Sequence, residues 1–148
     1  MYCNNITCQN KSGMSNYYSL HTDGGARGNP GLAAIGAVLR DPDGNLVDTY
    51  NAFIGISTNN IAEYTALIQG LRLARMNNVE NLNCYLDSEL VVKQLNGEYK
   101  VKDENLKILK QRVDQWVNQF KNVTFNHVPR KNNKNADTLV NEALDENF

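Results

Sequence analysis

Three features of this sequence predict an α/β fold in which a mixed sheet is flanked by helices. The first half carries three strand-like segments, the last two joined by the turn Asp41-Pro42-Asp43-Gly44-Asn45, and so forms an antiparallel meander. The second half alternates short strand patterns with longer helical ones, as crossovers between parallel strands do. Four carboxylates, Asp23, Glu63, Asp87 and Asp137, fall at the ends of those strands or on the helices beside them. The expected order is β-β-β-α-β-α-α-β-α.

Each element has its own local reason. Residues 1–16 are polar, without periodicity, and are expected to form a flexible tail ahead of a single domain over residues 17–148. Tyr17 to Thr22 alternates as a strand ending at Asp23, followed by a turn rich in glycine, His21-Thr22-Asp23-Gly24-Gly25-Ala26-Arg27-Gly28-Asn29-Pro30-Gly31. Ala33 to Arg40 is small and apolar, a buried strand, and Leu46 to Ile54 returns beside it. Thr58-Asn59-Asn60 offers a helix cap, with Glu63 three residues after Asn60 in capping-box spacing. Ile61, Tyr64, Leu67, Ile68, Leu71 and Ala74 then trace one helical face. Leu82, Cys84 and Leu86 alternate on a strand that ends at Asp87. Ser88 caps a short helix stopped by Gly97, and Asp103 opens another with Leu106, Leu109, Val113, Trp116 and Val117. Val123, Phe125 and His127 alternate on the last strand, and Asn132 or Asn133 begins the helix bearing Asp137, Val140 and Leu144.

Composition narrows the class. A chain of 148 residues with 41% hydrophobic and 21% charged residues is an ordinary globular domain. A net charge of -1 argues against holding nucleic acid by bulk positive charge, so local patches and bridging metal ions would have to supply the attraction. Cys3, Cys8 and Cys84 form an odd set with no zinc-like quartet, which favours reduced thiols. No apolar run is long enough to span a membrane, and the first residues lack the basic and apolar regions of a signal peptide. A cytoplasmic monomer is the expectation.

Taken singly, each acid has an ordinary reading. Asp23 before Gly24-Gly25 is a turn acid, Glu63 a capping acid, Asp87 a helix-start charge and Asp137 a surface residue of a helix. Together they suggest a cage for hard divalent cations, because four crowded carboxylates are unfavourable unless cations neutralise them.

The segments Thr22-Asp23-Gly24-Gly25 with Gly28-Asn29-Pro30-Gly31, Thr58-Asn59-Asn60 leading to Glu63, Leu86-Asp87-Ser88, and His127-Val128-Pro129-Arg130 leading to Ala136-Asp137 closely resemble type 1 ribonuclease H. The likeness runs from about Tyr17 to Leu144, and Asn96 to Leu106 looks like the compact archaeal and bacterial branch. The resemblance implies a ribonuclease H-like fold, with a five-stranded sheet of order 3-2-1-4-5 and strand 2 antiparallel. It also implies endonucleolytic hydrolysis of the RNA strand of RNA–DNA hybrids, leaving 5′-phosphate and 3′-hydroxyl ends. Asp23, Glu63, Asp87 and Asp137 would hold two Mg²⁺ about 3.5–4 Å apart, one activating water and the other stabilising the leaving oxygen. Mn²⁺ is a substitute, and the all-oxygen donor set disfavours Zn²⁺.

For the substrate, the resemblance assigns contacts to Gly24, Gly25, Ala26 and Arg27, to Asn29, to Thr58, Asn59 and Asn60, and to Ser88. Thr58 resembles the family's phosphate-pocket threonine. Asn29, Asn59 and Asn60 are amides suited to 2′-hydroxyls and minor-groove base edges, although Asn59 and Asn60 also suit helix capping. Glu89 departs from the polar, often amide, residue of the family at its position. His127 and Arg130 match positions where the family places assisting groups for product release or proton transfer. The long basic helix and handle loop of better-studied bacterial members are missing, leaving Tyr99, Lys100 and Lys102 for the DNA strand. Hybrid binding should therefore be weak and salt-dependent, and double-stranded RNA, which shares the A-form shape, stays open as a substrate. A proofreading exonuclease or an integrase-like enzyme fits the acid order and the Asn59-Asn60 pair less well. A non-catalytic binding module would have no use for four acids.

Overall fold

The computed structural model describes residues 16–147. The tail expected over residues 1–16 falls outside the described residues except for Asn16, as do Cys3 and Cys8. The strands are β1 (Tyr18–Gly28), β2 (Gly31–Arg40), β3 (Leu46–Ser57), β4 (Asn81–Leu86) and β5 (Asn122–His127). The helices are α1 (Asn59–Met76), α2 (Glu89–Leu95), α3 (Glu104–Val117) and α4 (Lys134–Asp145), with a 3₁₀ turn at Arg130–Asn132. The strands form one sheet of order β3-β2-β1-β4-β5. β1, β2 and β3 pair antiparallel, whereas β1–β4 and β4–β5 pair parallel. The mixed five-stranded sheet expected above is thus the observed one.

The main core lies on the face covered by α1 and α3. Leu20, Leu39, Leu67, Leu71, Leu82 and Leu86 are fully buried there. Tyr64 is also fully buried and donates its hydroxyl to Gln94 Oε1 at 2.9 Å. On the opposite face, α4 covers a smaller cluster of Ala34, Val140, Ala143 and Leu144. Gly36 of β2 makes this close approach possible, since a Cβ there would meet the Ala136 carbonyl oxygen at 2.6 Å. Cys84 lies in the main core as a free, fully buried thiol, and burial raises its pKa.

Two local expectations are corrected. The glycine-rich segment after Asp23 is strand rather than turn, with Asp23 to Arg27 paired to Gly36 to Leu32 of β2. The turn comes only at Asn29-Pro30, after Gly28 at φ 98°, because the small residues Ala33 and Ala34 let the ladder continue. The cap of α1 is Thr58, whose hydroxyl accepts from the Ile61 N–H at 3.2 Å. Glu63 therefore plays no capping-box role and turns inward instead.

Candidate active site

The parallel register of β1 on β4 builds the centre of the site. His21 is paired with Tyr85, so two residues further on, where the pairing ends, Asp23 and Asp87 come side by side. Glu63 arrives from the second turn of α1, and its Oε1 accepts from the Gly24 N–H at 2.8 Å. This close approach requires glycine, because a Cβ on Gly24 would overlap the Ala62 carbonyl. Asp23, Glu63 and Asp87 each present an oxygen within 4.8 Å of the others. Asp137, in the first turn of α4, completes the group from the opposite face of the sheet.

The four carboxylates share a cleft of about 460 Å³. Burial is the first cause that pushes the Asp23 pKa up to about 8, followed by the charges of Asp87 and Asp137 and hydrogen bonding with Asp137. Glu63 is raised for the same leading reason, with Asp23 and Asp87 adding repulsion. The Gly24 N–H and the Arg130 charge pull Glu63 the other way, without reversing the shift. Oxygen donors, mutual repulsion and burial together make this a fitting seat for a hard divalent cation.

The rim assembles most of the expected substrate residues. Gly24, Gly25, Ala26, Arg27, Asn59, Asn60, Ser88 and Arg130 all line the cleft. Asn29 and Thr58 stand behind it. The Asn29 Oδ1 accepts from the Asn59 N–H at 3.0 Å, and the Asn59 Oδ1 accepts from the Ala26 N–H at 2.9 Å. These bonds tie the β1 tip to the start of α1 and turn the Asn59 amide nitrogen away from the bonded backbone. Arg130 is exposed, with its Nη2 at 3.7 Å from Asp137 Oδ1.

Other expected residues lie elsewhere. His127, at the end of β5, is exposed and does not line the acid cleft. Tyr99 and Lys100 line a separate depression between the residues after α2 and α3, while exposed Lys102 lines neither. Lys93, outside this depression, sits over the Tyr99 ring at 5.1 Å from its centroid.

Sequence reasoning overlooked two amides. Asn133 is almost fully buried, and its Nδ2 donates to the Thr22 carbonyl at 2.9 Å and to Asp87 Oδ2 at 3.2 Å. It thereby fastens the start of α4 to β1 and to an acid from β4. Asn141 lines the cleft, and its Nδ2 donates to the Asp137 carbonyl at 3.2 Å. The i, i+4 spacing of Asn133, Asp137 and Asn141 was the available signal, because it puts all three on one helical stripe.

A family model described as "Reverse transcriptase-like" matches residues 21–143. The chain is 43% identical over 124 residues to "Ribonuclease HI" of Halobacterium salinarum, covering 84% of this chain and 62% of that protein. It therefore spans less than two thirds of that relative's length. It is 32% identical to "Ribonuclease H" of Ruthia magnifica subsp. Calyptogena magnifica, covering 85% of this chain and 94% of that protein. Among solved structures, LC11-RNase H1 in complex with an RNA/DNA hybrid superposes with a TM-score of 0.83 at 43% identity, covering 87% of this chain and 97% of that one. Sheet order, acid cluster and a likeness that extends over nearly the whole of several relatives agree, and the chain belongs to the type 1 ribonuclease H family.

Proposed function

We propose that this chain is an endoribonuclease that hydrolyses the RNA strand of RNA–DNA hybrids with two divalent cations, leaving 5′-phosphate and 3′-hydroxyl ends. The observation that carries the reading is the convergence of Asp23, Glu63 and Asp87 within 4.8 Å at the floor of an open cleft. The hybrid bound by the similar LC11-RNase H1 supports the choice of substrate.

Asp23, Glu63, Asp87 and Asp137 would hold the cations, with Mg²⁺ as the natural occupant and Mn²⁺ as its substitute. When bound, these ions supply an acidified water and neutralise charge on the reacting phosphate. The protein's part is orientation and charge. Glu63 is aimed by the Gly24 N–H, and Asp87 by the Asn133 amide. Their fixed positions remove the need to reorganise the buried Glu63 and the half-buried Asp87 when substrate arrives. Gly24 and Gly25 let the RNA backbone approach β1, while Asn59 and Asn60 direct amide groups at the 2′-hydroxyls that distinguish RNA from DNA. Ala26, Arg27 and Ser88 border the same track, with Asn29 and Thr58 bracing it from behind. Arg130 meets the scissile phosphate from the rim, and His127 assists from the adjoining edge, in proton transfer or product release. Tyr99, Lys100 and Lys102 receive the DNA strand. The protein acts as a cytoplasmic monomer, and no helix among the described residues is long and apolar enough to cross a membrane.

Double-stranded RNA is a second substrate class, since a minor-groove reading of one A-form strand accepts both duplexes in part. The test is cleavage of a matched hybrid, RNA duplex and DNA duplex with Mg²⁺ or Mn²⁺. Cleavage confined to RNA strands, with 5′-phosphate ends, is the expected result. Cutting of the DNA duplex, or cutting without a divalent ion, would overturn the reading.

A further inference from the structure

Beside the acid cleft, on the face of the sheet covered by α4, lies a second cavity of about 280 Å³ lined by basic and amide groups. Arg40 reaches it from the end of β2, Lys131 from the 3₁₀ turn and Lys134 from the first turn of α4. His21 forms part of its wall, stacked on Tyr85 with ring centroids 4.9 Å apart. No carboxylate lines the cavity, and among the described residues none forms an ion pair with Arg40, Lys131 or Lys134. Arg40 has only a long bond of 3.4 Å from its Nη1 to the Gly44 carbonyl.

The α4 terminus adds to this positive field. Asn133 occupies the N-cap position yet makes no side-chain capping bond, for its Nδ2 donates to Thr22 and Asp87 while its Oδ1 is buried without a partner. The first-turn N–H groups of this 12-residue helix are thus left uncapped beside Lys134 and Asn135, which line the cavity. Three cations around one concavity repel each other unless an anion joins them, and arginine, lysine and backbone N–H groups are the donors that bind tetrahedral oxyanions.

We propose that this cavity is a phosphate-binding site, separate from the carboxylate cleft and adjoining it through Asn133. Its chemistry selects an oxyanion held by Arg40, Lys131, Lys134 and the start of α4. The phosphate comes either from the nucleic-acid backbone beyond the cleft or from free phosphate. The assignment stands on the cavity alone and does not depend on hydrolysis in the neighbouring cleft.

The test titrates inorganic phosphate into the full chain in EDTA, at constant ionic strength with chloride as the balancing anion. Amide resonances of Lys134 and Asn135 are followed by NMR. Saturable shifts are expected, with affinity about tenfold weaker in Lys134→Gln and in Lys131→Gln. Both side chains are exposed, so these variants should fold as the parent does. Shifts that never saturate, or that are the same in both variants as in the parent, would overturn the site. A second arm measures binding of a non-cleaved hybrid by the same proteins in EDTA. A loss of affinity with a shallower salt dependence in the variants assigns the phosphate to the nucleic-acid backbone. Unchanged hybrid affinity with weakened phosphate binding assigns the site to the free anion.

Discussion

Asp23 concentrates the electrostatic tension of the molecule, being buried, crowded by Asp87 and Asp137, and raised to about 8. An acid whose folded pKa exceeds its unfolded value near 3.8 binds more protons in the native state between those two values. Stability of the metal-free protein should therefore fall as pH rises from about 4 to about 8, most steeply midway between the two values, and level off above them. Urea unfolding in EDTA across that range checks the slope, and a flat profile would contradict it. Asp23→Asn removes the buried charge, so at pH 8 it should stabilise the metal-free protein by about 1–3 kcal/mol while abolishing hybrid cleavage. Asp87→Asn should also abolish turnover, and substantial cleavage at saturating Mg²⁺ would defeat its role as a ligand. Arg130→Ala should slow cleavage about 10- to 1,000-fold, as loss of an assisting electrostatic group does, with His127→Ala no more severe. Single-turnover rates separate chemistry from release, and parental rates in both variants would return these residues to structural roles. The four acids were legible in the sequence because each sits in its own local pattern. Asn133 was not, since its value comes from contacts with Thr22 and Asp87, far away along the chain.

At the scale of the element, the tip of β1 and the start of α1 behave as one part. Gly24 touches Ala62 closely enough to exclude any side chain, and its N–H holds Glu63. Gly24→Ala should therefore cost about 1–3 kcal/mol of stability through overpacking and also lower activity by moving Glu63 off its donor. The paired measurements are the thermal midpoint and the Mg²⁺ dependence of cleavage. A destabilised variant with unchanged Mg²⁺ dependence would show that the contact serves folding alone. Helix positions were readable from period and caps, as Ser88 and Asp103 illustrate by capping α2 and α3. The glycine stretch was misread as a turn because glycine, aspartate and asparagine favour turns locally. Pairing with the small residues of β2 decides otherwise, and sequence near β1 carries no record of that neighbour.

For the whole molecule, the metal requirement and the charge distribution give the last expectation. Ca²⁺ should bind the acids but support little cleavage, because its looser coordination spoils the alignment of the reacting groups. Hybrid cleavage in Ca²⁺ alone, after trace Mg²⁺ is chelated, checks this, and rates near those with Mg²⁺ would refute it. The sheet order was legible through family likeness more than through pattern, since alternation identifies strands without saying which ones pair. The site draws on both faces of the sheet, with Glu63 on α1, Asp137 and Asn133 on α4, and Asp23 and Asp87 between them. That arrangement has a meaning in time. Asp23, Glu63 and Asp87 all precede residue 133, so in the order of synthesis the fourth acid and the amide that steadies Asp87 come last. Under the reading proposed above, the acid set is complete only once the last helix has docked, so the metal seat is finished by the final step of folding.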